Sequence, residues 1–178
     1  MQIHTFEHPM KPILHTLLIT LLSTIGCTTA NQENYALEVI DYSKYQEIVE
    51  QNKDKLLVVN FWATWCKPCV EELPHFMEVN QQFAENSDYK MILISLDKSD
   101  LLSTAVSATI QKLKLKTDLY ILSDNKRMNE WIPAIDNTWS GAIPATVFYK
   151  NGKQTAFVEG QLTKKELKEY EGIVGRRP

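Results

Sequence analysis

The stretch Leu56-Leu57-Val58-Val59-Asn60-Phe61-Trp62-Ala63-Thr64-Trp65-Cys66-Lys67-Pro68-Cys69 runs an apolar segment directly into a Cys-x-x-Cys pair. Leu56–Phe61 is bounded by charge and aromatic residues and fits a buried parallel strand. Behind it, Val70, Leu73, Phe76, Met77, Val79 and Phe83 recur with helical spacing, which predicts a helix from Cys66 to about Glu85, kinked at Pro74. A strand that ends at the first turn of a helix places Cys66 where unpaired backbone N–H groups and the macrodipole favour an anion. Cys66 is therefore the expected attacking thiol. Cys69, three residues on along the same helical face, is placed to resolve a mixed disulfide. Pro68 stiffens the turn between them, and Lys67 adds a small exposed positive charge.

Outward from this pair the elements alternate. Strands are predicted over Ala36–Ile40, Met91–Leu96 and Leu119–Leu122. Helices are predicted from Ser43 as cap through Gln51, from Ser99 or Asp100 to about Leu115, and over Asn125–Ile135. Ala145–Tyr149 and Gln154–Val158 flank Lys150-Asn151-Gly152-Lys153, and Asn-Gly between two β-rich runs is a strong hairpin signal. Thr163 with Glu166 has capping-box spacing for a last helix to about Val174. The order predicts an α/β domain with a central mixed sheet flanked by helices.

Of 178 residues, 44% are hydrophobic and 23% charged, enough for one domain with its own core. A net charge of −3 with only short basic runs, Lys112–Lys116 and Arg176-Arg177, argues against a nucleic-acid partner. The N-terminal part differs. Lys11 precedes the run Ile13–Leu22, then Ser23-Thr24-Ile25-Gly26-Cys27, the pattern of a secretory signal and too short for a comfortable membrane span. Gly26-Cys27 is similar to a bacterial lipobox, with Thr24 where that pattern usually has Leu, so Cys27 is the expected lipidation site. Met10-Lys11 makes a conventional signal start, and translation is expected to begin there. The expected organisation is a lipoprotein-type signal peptide over 1–26, a tether over 27–34 and the folded domain over 35–178.

Removal of the signal would also remove His4, His8 and His15, leaving His75 as the one histidine of the exported chain. A histidine-based triad then has no material. Half of a zinc site is the main competing interpretation of Cys-x-x-Cys, but such sites need two further ligands at comparable spacing, so no metal and no cofactor are expected. His75 itself is expected to be a surface or packing residue.

Phe61-Trp62-Ala63-Thr64-Trp65-Cys66-Lys67-Pro68-Cys69 followed by Glu72-Leu73-Pro74 resembles the active-site segment of the thioredoxin superfamily, in its extracytoplasmic TlpA/ResA-like branch. Trp139-Ser140-Gly141-Ala142-Ile143-Pro144-Ala145-Thr146 is similar to that family's cis-proline loop. A helix–strand unit near Ser99–Leu122 corresponds to the central insertion typical of the branch. The resemblance implies a thioredoxin fold, a redox-active Cys66–Cys69 disulfide and disulfide reduction of extracytoplasmic client proteins, apocytochromes awaiting haem among them. It also implies a membrane thiol donor of electrons and a cis Ile143–Pro144 bond beside Cys66. Trp65, Lys67, Pro68, Ile143 and Pro144 become the expected client contacts. Trp139 is equally readable as a groove residue or as packing.

Two residues modify the assignment. Asn60 stands where thioredoxins carry a buried Asp. Glu72 is at i+3 from Cys69, and spacing alone leaves it open between a proton relay and a solvated carboxylate like Glu71; the resemblance assigns the relay to Glu72, which makes Cys66, Cys69 and Glu72 the expected catalytic set. The rival interpretations are an oxidase or isomerase using the same cysteines and a redox-inert tethered binding module. A peroxidase of the peroxiredoxin type is disfavoured because Trp62–Cys66 lacks the Pro-x-x-x-Thr pattern ahead of its cysteine.

Overall fold

The computed structural model describes residues 1–2 and 37–175. Six strands alternate with five α-helices: β1 Leu37–Ile40, α1 Tyr42–Gln51, β2 Leu56–Trp62, α2 Lys67–Gln82, β3 Tyr89–Ser95, α3 Ser107–Leu113, β4 Asp118–Leu122, α4 Met128–Ile135, β5 Ala145–Lys150, β6 Lys153–Glu159 and α5 Lys164–Gly175. The expected lipidation site Cys27, the tether and the apolar run of the signal lie outside the described residues.

The strands form one mixed sheet in the order β1-β4-β3-β2-β5-β6. β2 is its centre, parallel to β3 and antiparallel to β5. All seven residues of β2 are buried, as a strand covered on both faces requires. Their side chains alternate. Leu57, Val59 and Phe61 join a cluster with Tyr45 and Ile48 of α1 and Trp131 of α4. Val58 packs with Phe76 and Val79 of α2 and Leu167 of α5, and Trp62 packs with Leu73 of α2 and with Leu93 and Leu119. Each such large apolar side chain contributes about 1.5–3 kcal/mol on burial. Asn60, two residues after Val58, is carried by the same alternation to the α2 side with no exposure at all.

Several expectations hold. Asn151 (φ 52°) and Gly152 (φ 69°) both take positive φ in the turn between β5 and β6, the conformation for which Asn-Gly is favoured. Thr163 and Glu166 form a reciprocal capping box: the Thr163 N–H donates to the Glu166 carboxylate at 2.9 Å and the Glu166 N–H donates to the Thr163 hydroxyl at 3.3 Å. The lysine run ends α3, with Lys114 in the left-handed conformation (φ 52°).

Others are corrected. Asp41, not Ser43, caps α1: β1 ends at Ile40, and the Asp41 carboxylate accepts the Lys44 N–H at 2.8 Å. The helix expected from Ser99 or Asp100 to Leu115 is instead a 3₁₀ turn at Ser99–Leu101, a wider π turn at Leu102–Val106 and only then α3, and neither Ser99 nor Asp100 caps it. The physical reason is local. The Ser107 and Thr109 hydroxyls bond to the carbonyls of Leu102 and Ala105, and such side-chain bonds bend a regular ladder. Likewise a 3₁₀ turn at Asn125–Arg127 precedes α4.

Candidate active site

The Ala63–Cys66 turn links the end of β2 to α2, closed by the Cys66 N–H donating to the Ala63 carbonyl at 3.1 Å. Cys66 is the N-cap of α2 with extended backbone (φ −87°, ψ 96°), and its sulfur accepts the Cys69 N–H at 3.3 Å. That is the anion-favouring position expected from the sequence, now with a named donor. Cys66 and Cys69 are joined in a disulfide with Cα atoms 5.3 Å apart. Cys66 keeps 6% of its surface exposed and Cys69 none, so an incoming sulfur reaches Cys66 first.

The Ile143–Pro144 bond is cis. It brings the Ile143 carbonyl oxygen to 3.5 Å from the Cys66 sulfur. Pro144 itself is buried, and its carbonyl accepts the Gly160 N–H at 2.8 Å. The backbone that meets Cys66 is thus the Ile143 carbonyl rather than an exposed proline. The preceding loop is held by Glu159, whose carboxylate accepts the Ser140 and Ala142 N–H groups at 3.1 and 3.2 Å. Hydrogen bonds from the Ser140 hydroxyl and N–H keep the Glu159 carboxyl below its ordinary pKa. Gly141 adopts φ +92°, a conformation that L side chains rarely take.

Glu72 is fully buried on α2, unlike its exposed neighbour Glu71. Its Oε1 accepts from the Asn60 amide at 2.8 Å and its Oε2 from the Leu162 N–H at 2.8 Å. Burial pushes its pKa up to about 7, against the opposing pull of the Leu162 and Asn60 hydrogen bonds. A carboxyl half-ionised near neutrality, one helical turn beyond Cys69, is equipped to take or return a proton. Asn60 also donates to the Thr146 hydroxyl at 3.1 Å, directly across the β2–β5 register, so strand pairing orients the amide that holds Glu72.

Trp65 is 68% exposed beside the disulfide, an unusual position for so large an apolar side chain. Together with Leu96, Leu101, Met128 and Ile143 it lines a groove of about 630 Å³. Lys67 and Pro68 are exposed on the first turn of α2, with Lys67 3.7 Å from Glu71. Trp139 is packing rather than groove: it is 5% exposed, its ring meets Phe61, Trp131 and Phe157, and its Nε1 donates to the Ala142 carbonyl at 2.8 Å. His75 is half-buried on α2, and among the described residues no cluster of His, Cys, Asp and Glu is arranged to hold a metal ion.

Sequence patterns gave no role to Thr64 or Thr146, though both lie in the quoted motifs, and did not point to Asp97, Gln161 or Leu162; all five contact the site. Gln161 donates to the Pro68 carbonyl at 3.2 Å and Leu162 to Glu72, both from the segment after β6. Their bonds span more than eighty residues and involve one side-chain amide and one backbone N–H. Neither carries a local motif.

A six-stranded mixed sheet flanked by helices, a disulfide at a helix N-terminus and a cis-proline loop against it define a thioredoxin-fold protein of the thioredoxin superfamily. The chain belongs to the AhpC/TSA family, whose description matches residues 31–154. It is 29% identical over 121 residues to the thiol-disulfide oxidoreductase ResA of Bacillus thuringiensis, spanning 66% of this chain and 62% of that protein. It is 27% identical over 125 residues to the sporulation thiol-disulfide oxidoreductase A of Bacillus subtilis, spanning 66% and 75%. The chain thus aligns with under two thirds of the length of its first ResA relatives. Among solved structures, a thiol:disulfide interchange protein of Chlorobium tepidum superposes with a TM-score of 0.59 at 20% identity, over 70% of this chain and 83% of that one. StoA of Bacillus subtilis gives 0.53 at 24% identity over 66% and 82%. These superpositions bear on the fold.

Proposed function

We propose that the chain is a protein thiol–disulfide oxidoreductase that reduces disulfides of extracytoplasmic clients. The single observation that carries this is the Cys66–Cys69 disulfide, capped by the Cys69 N–H and faced by the Ile143 carbonyl. In the dithiol form, the Cys66 thiolate attacks a client disulfide, forming a Cys66–client bond and releasing one client thiolate. The client's backbone lies against Ile143, with Trp65, Lys67 and Pro68 around it and Pro144 shaping the loop. Glu72 takes the proton from the Cys69 thiol. The Cys69 thiolate then attacks the Cys66 sulfur, which closes the disulfide and releases the second client thiolate. Two electrons have passed to the client. A membrane thiol donor restores them by the reverse exchange.

The same proposal includes export by the segment 1–26, lipidation at Cys27 after cleavage, and a tether over 27–34 that holds the domain 35–178 at the membrane surface on the periplasmic side. The Gly26-Cys27 pattern supports lipidation. Among the described residues no helix is long and apolar enough to cross a membrane.

The test is the reduction potential of the Cys66–Cys69 pair in the full chain in detergent, equilibrated against defined thiol buffers and read by thiol alkylation. A value at or below about −230 mV is expected of a reductant. A value near about −120 mV reverses the direction to oxidase or isomerase. No exchange at any poise leaves a redox-inert binding module.

A further inference from the structure

Asp97 is a buried acid that the exchange chemistry does not use. It lies just past the end of β3, 1% exposed, and three donors converge on its carboxylate. The Thr64 N–H donates to Oδ2 at 2.8 Å, the Thr64 hydroxyl to Oδ1 at 2.7 Å and the Ser95 hydroxyl to Oδ2 at 2.7 Å. The Asp97 N–H donates back to the Ser95 oxygen at 3.0 Å, which locks the acid's own orientation. Ser95 is itself 1% exposed and ends β3, whose register with β2 pairs it to Trp62. The Leu96 N–H then donates to the Trp62 carbonyl at 2.8 Å, so the hydrogen-bonded ladder runs up to the residue before Asp97.

Thr64 is the second residue of the Ala63–Cys66 turn. Asp97 grips it by both backbone and side chain, two residues before the nucleophile. The turn is also closed by the Cys66 N–H bond to Ala63. Hydrogen bonds to a charged acceptor are roughly twice as strong as neutral ones, and burial shields these from water. The neighbours Leu96 and Lys98 line the groove beside Trp65, so the same short segment both holds the turn and walls the groove.

We propose that Asp97, through Thr64, is the positioning residue of the redox turn: it holds the Cys66 sulfur over the Cys69 N–H in the dithiol, so that the disulfide closes with little further ordering. This rests on the thiol–disulfide function proposed above. Preorganisation of two reacting groups appears as effective concentration. Releasing the turn therefore weakens closure of the Cys66–Cys69 bond relative to a mixed disulfide and raises the potential. A direct effect of the Asp97 charge on the thiolate would act in the same direction, since a carboxylate close to a thiolate disfavours it. The two causes separate in the variants. Asp97→Asn loses the charge but keeps an oxygen for the Thr64 and Ser95 donors, while the Thr64 hydroxyl can turn to accept from its amide. Asp97→Ala loses charge and grip together. Thr64→Val loses one hydrogen bond and no charge.

The experiment is the equilibrium of each full-chain variant with glutathione, with the wild type measured alongside. The expected result is about a tenfold smaller oxidation constant for Asp97→Ala, equivalent to about 30 mV. Asp97→Asn is expected within about twofold of wild type, and Thr64→Val about threefold shifted in the direction of Asp97→Ala. Equal shifts for the Asn and Ala variants overturn the positioning role in favour of a charge effect. Unmoved Ala and Val variants overturn it outright. If Asp97→Ala does not fold, Thr64→Val decides alone. A wild type that does not exchange with glutathione removes the proposed function itself, whereas normal wild-type exchange with unmoved variants removes only the role of Asp97.

Discussion

Replacing Glu72 with Gln tests the buried carboxyl through the pH dependence of folding. In the folded chain Glu72 has its pKa pushed by burial from 4.5 to about 7. Unfolding returns it to water and to the lower value. Between these two pH values the folded state binds the proton that the unfolded state has lost, so stability falls as pH rises and levels off above about 7. One pH step is worth about 1.4 kcal/mol, which makes the loss from Glu72 about 3 kcal/mol across the interval. Gln cannot ionise. Gln also offers one oxygen where the carboxylate offered two, to the Leu162 N–H and to the Asn60 amide, a cost of about 1–3 kcal/mol that does not depend on pH. The informative quantity is thus the change with pH in the stability difference, variant minus wild type, in which that cost cancels. It is expected to move about 3 kcal/mol in the variant's favour from pH 4.5 to pH 8, measured by urea unfolding of the oxidised chain. Parallel stability curves for the two proteins would refute the reasoning. Glu171 supplies a built-in comparison. It is buried on α5, accepts from the Tyr89 hydroxyl at 2.8 Å, and burial likewise raises it to about 7. Glu171→Gln should remove a second component of similar size and sign, far from the cysteines and without effect on thiol exchange.

Three further outcomes follow from the site. Cys69→Ser should trap clients as mixed disulfides on Cys66, seen on non-reducing gels as adducts that disappear with dithiothreitol, whereas Cys66→Ser should trap none, since Cys66 keeps exposed surface and Cys69 keeps none. Trp65→Ala should raise KM for a protein client several-fold and leave the rate with glutathione within about twofold, because the ring lines the groove rather than the sulfur. Equal losses with both substrates would show that Trp65 acts on the cysteines instead. Gly141→Ala should cost about 1–2 kcal/mol in urea unfolding, since φ +92° strains any side-chain-bearing residue, and an unchanged midpoint would contradict the loop conformation.

What was legible in the sequence was local. The Leu56–Phe61 run, apolar but for Asn60, required a strand covered on both faces, and Cys66 followed by helical periodicity required a thiol at a helix N-terminus. Asn151-Gly152 and Thr163-x-x-Glu166 also carry their geometry in adjacent residues, and both formed as expected. Where expectations failed, the competition was local too but evenly matched. At Ser99–Leu113 the serine and threonine hydroxyls take backbone carbonyls that a regular helix would use. At α1 the end of β1 decided that Asp41 rather than Ser43 was free to cap.

The chemistry-bearing cysteines were thus determined by the sequence alone, because a Cys-x-x-Cys needs only one helical turn to come together. Their environment was decided by tertiary structure. Whether Glu72 met water like Glu71 or a buried amide depended on which face of α2 met β2, and on Leu162 arriving from ninety residues away. Trp139 likewise became core rather than groove once Phe61 and Trp131 closed around it. Asp97 acquired its part only when β3 paired beside β2 and set the acid against Thr64. Burial and long-range hydrogen bonds set pKa values and orient reactive turns, and both depend on which elements pack together rather than on which residues are adjacent in the chain.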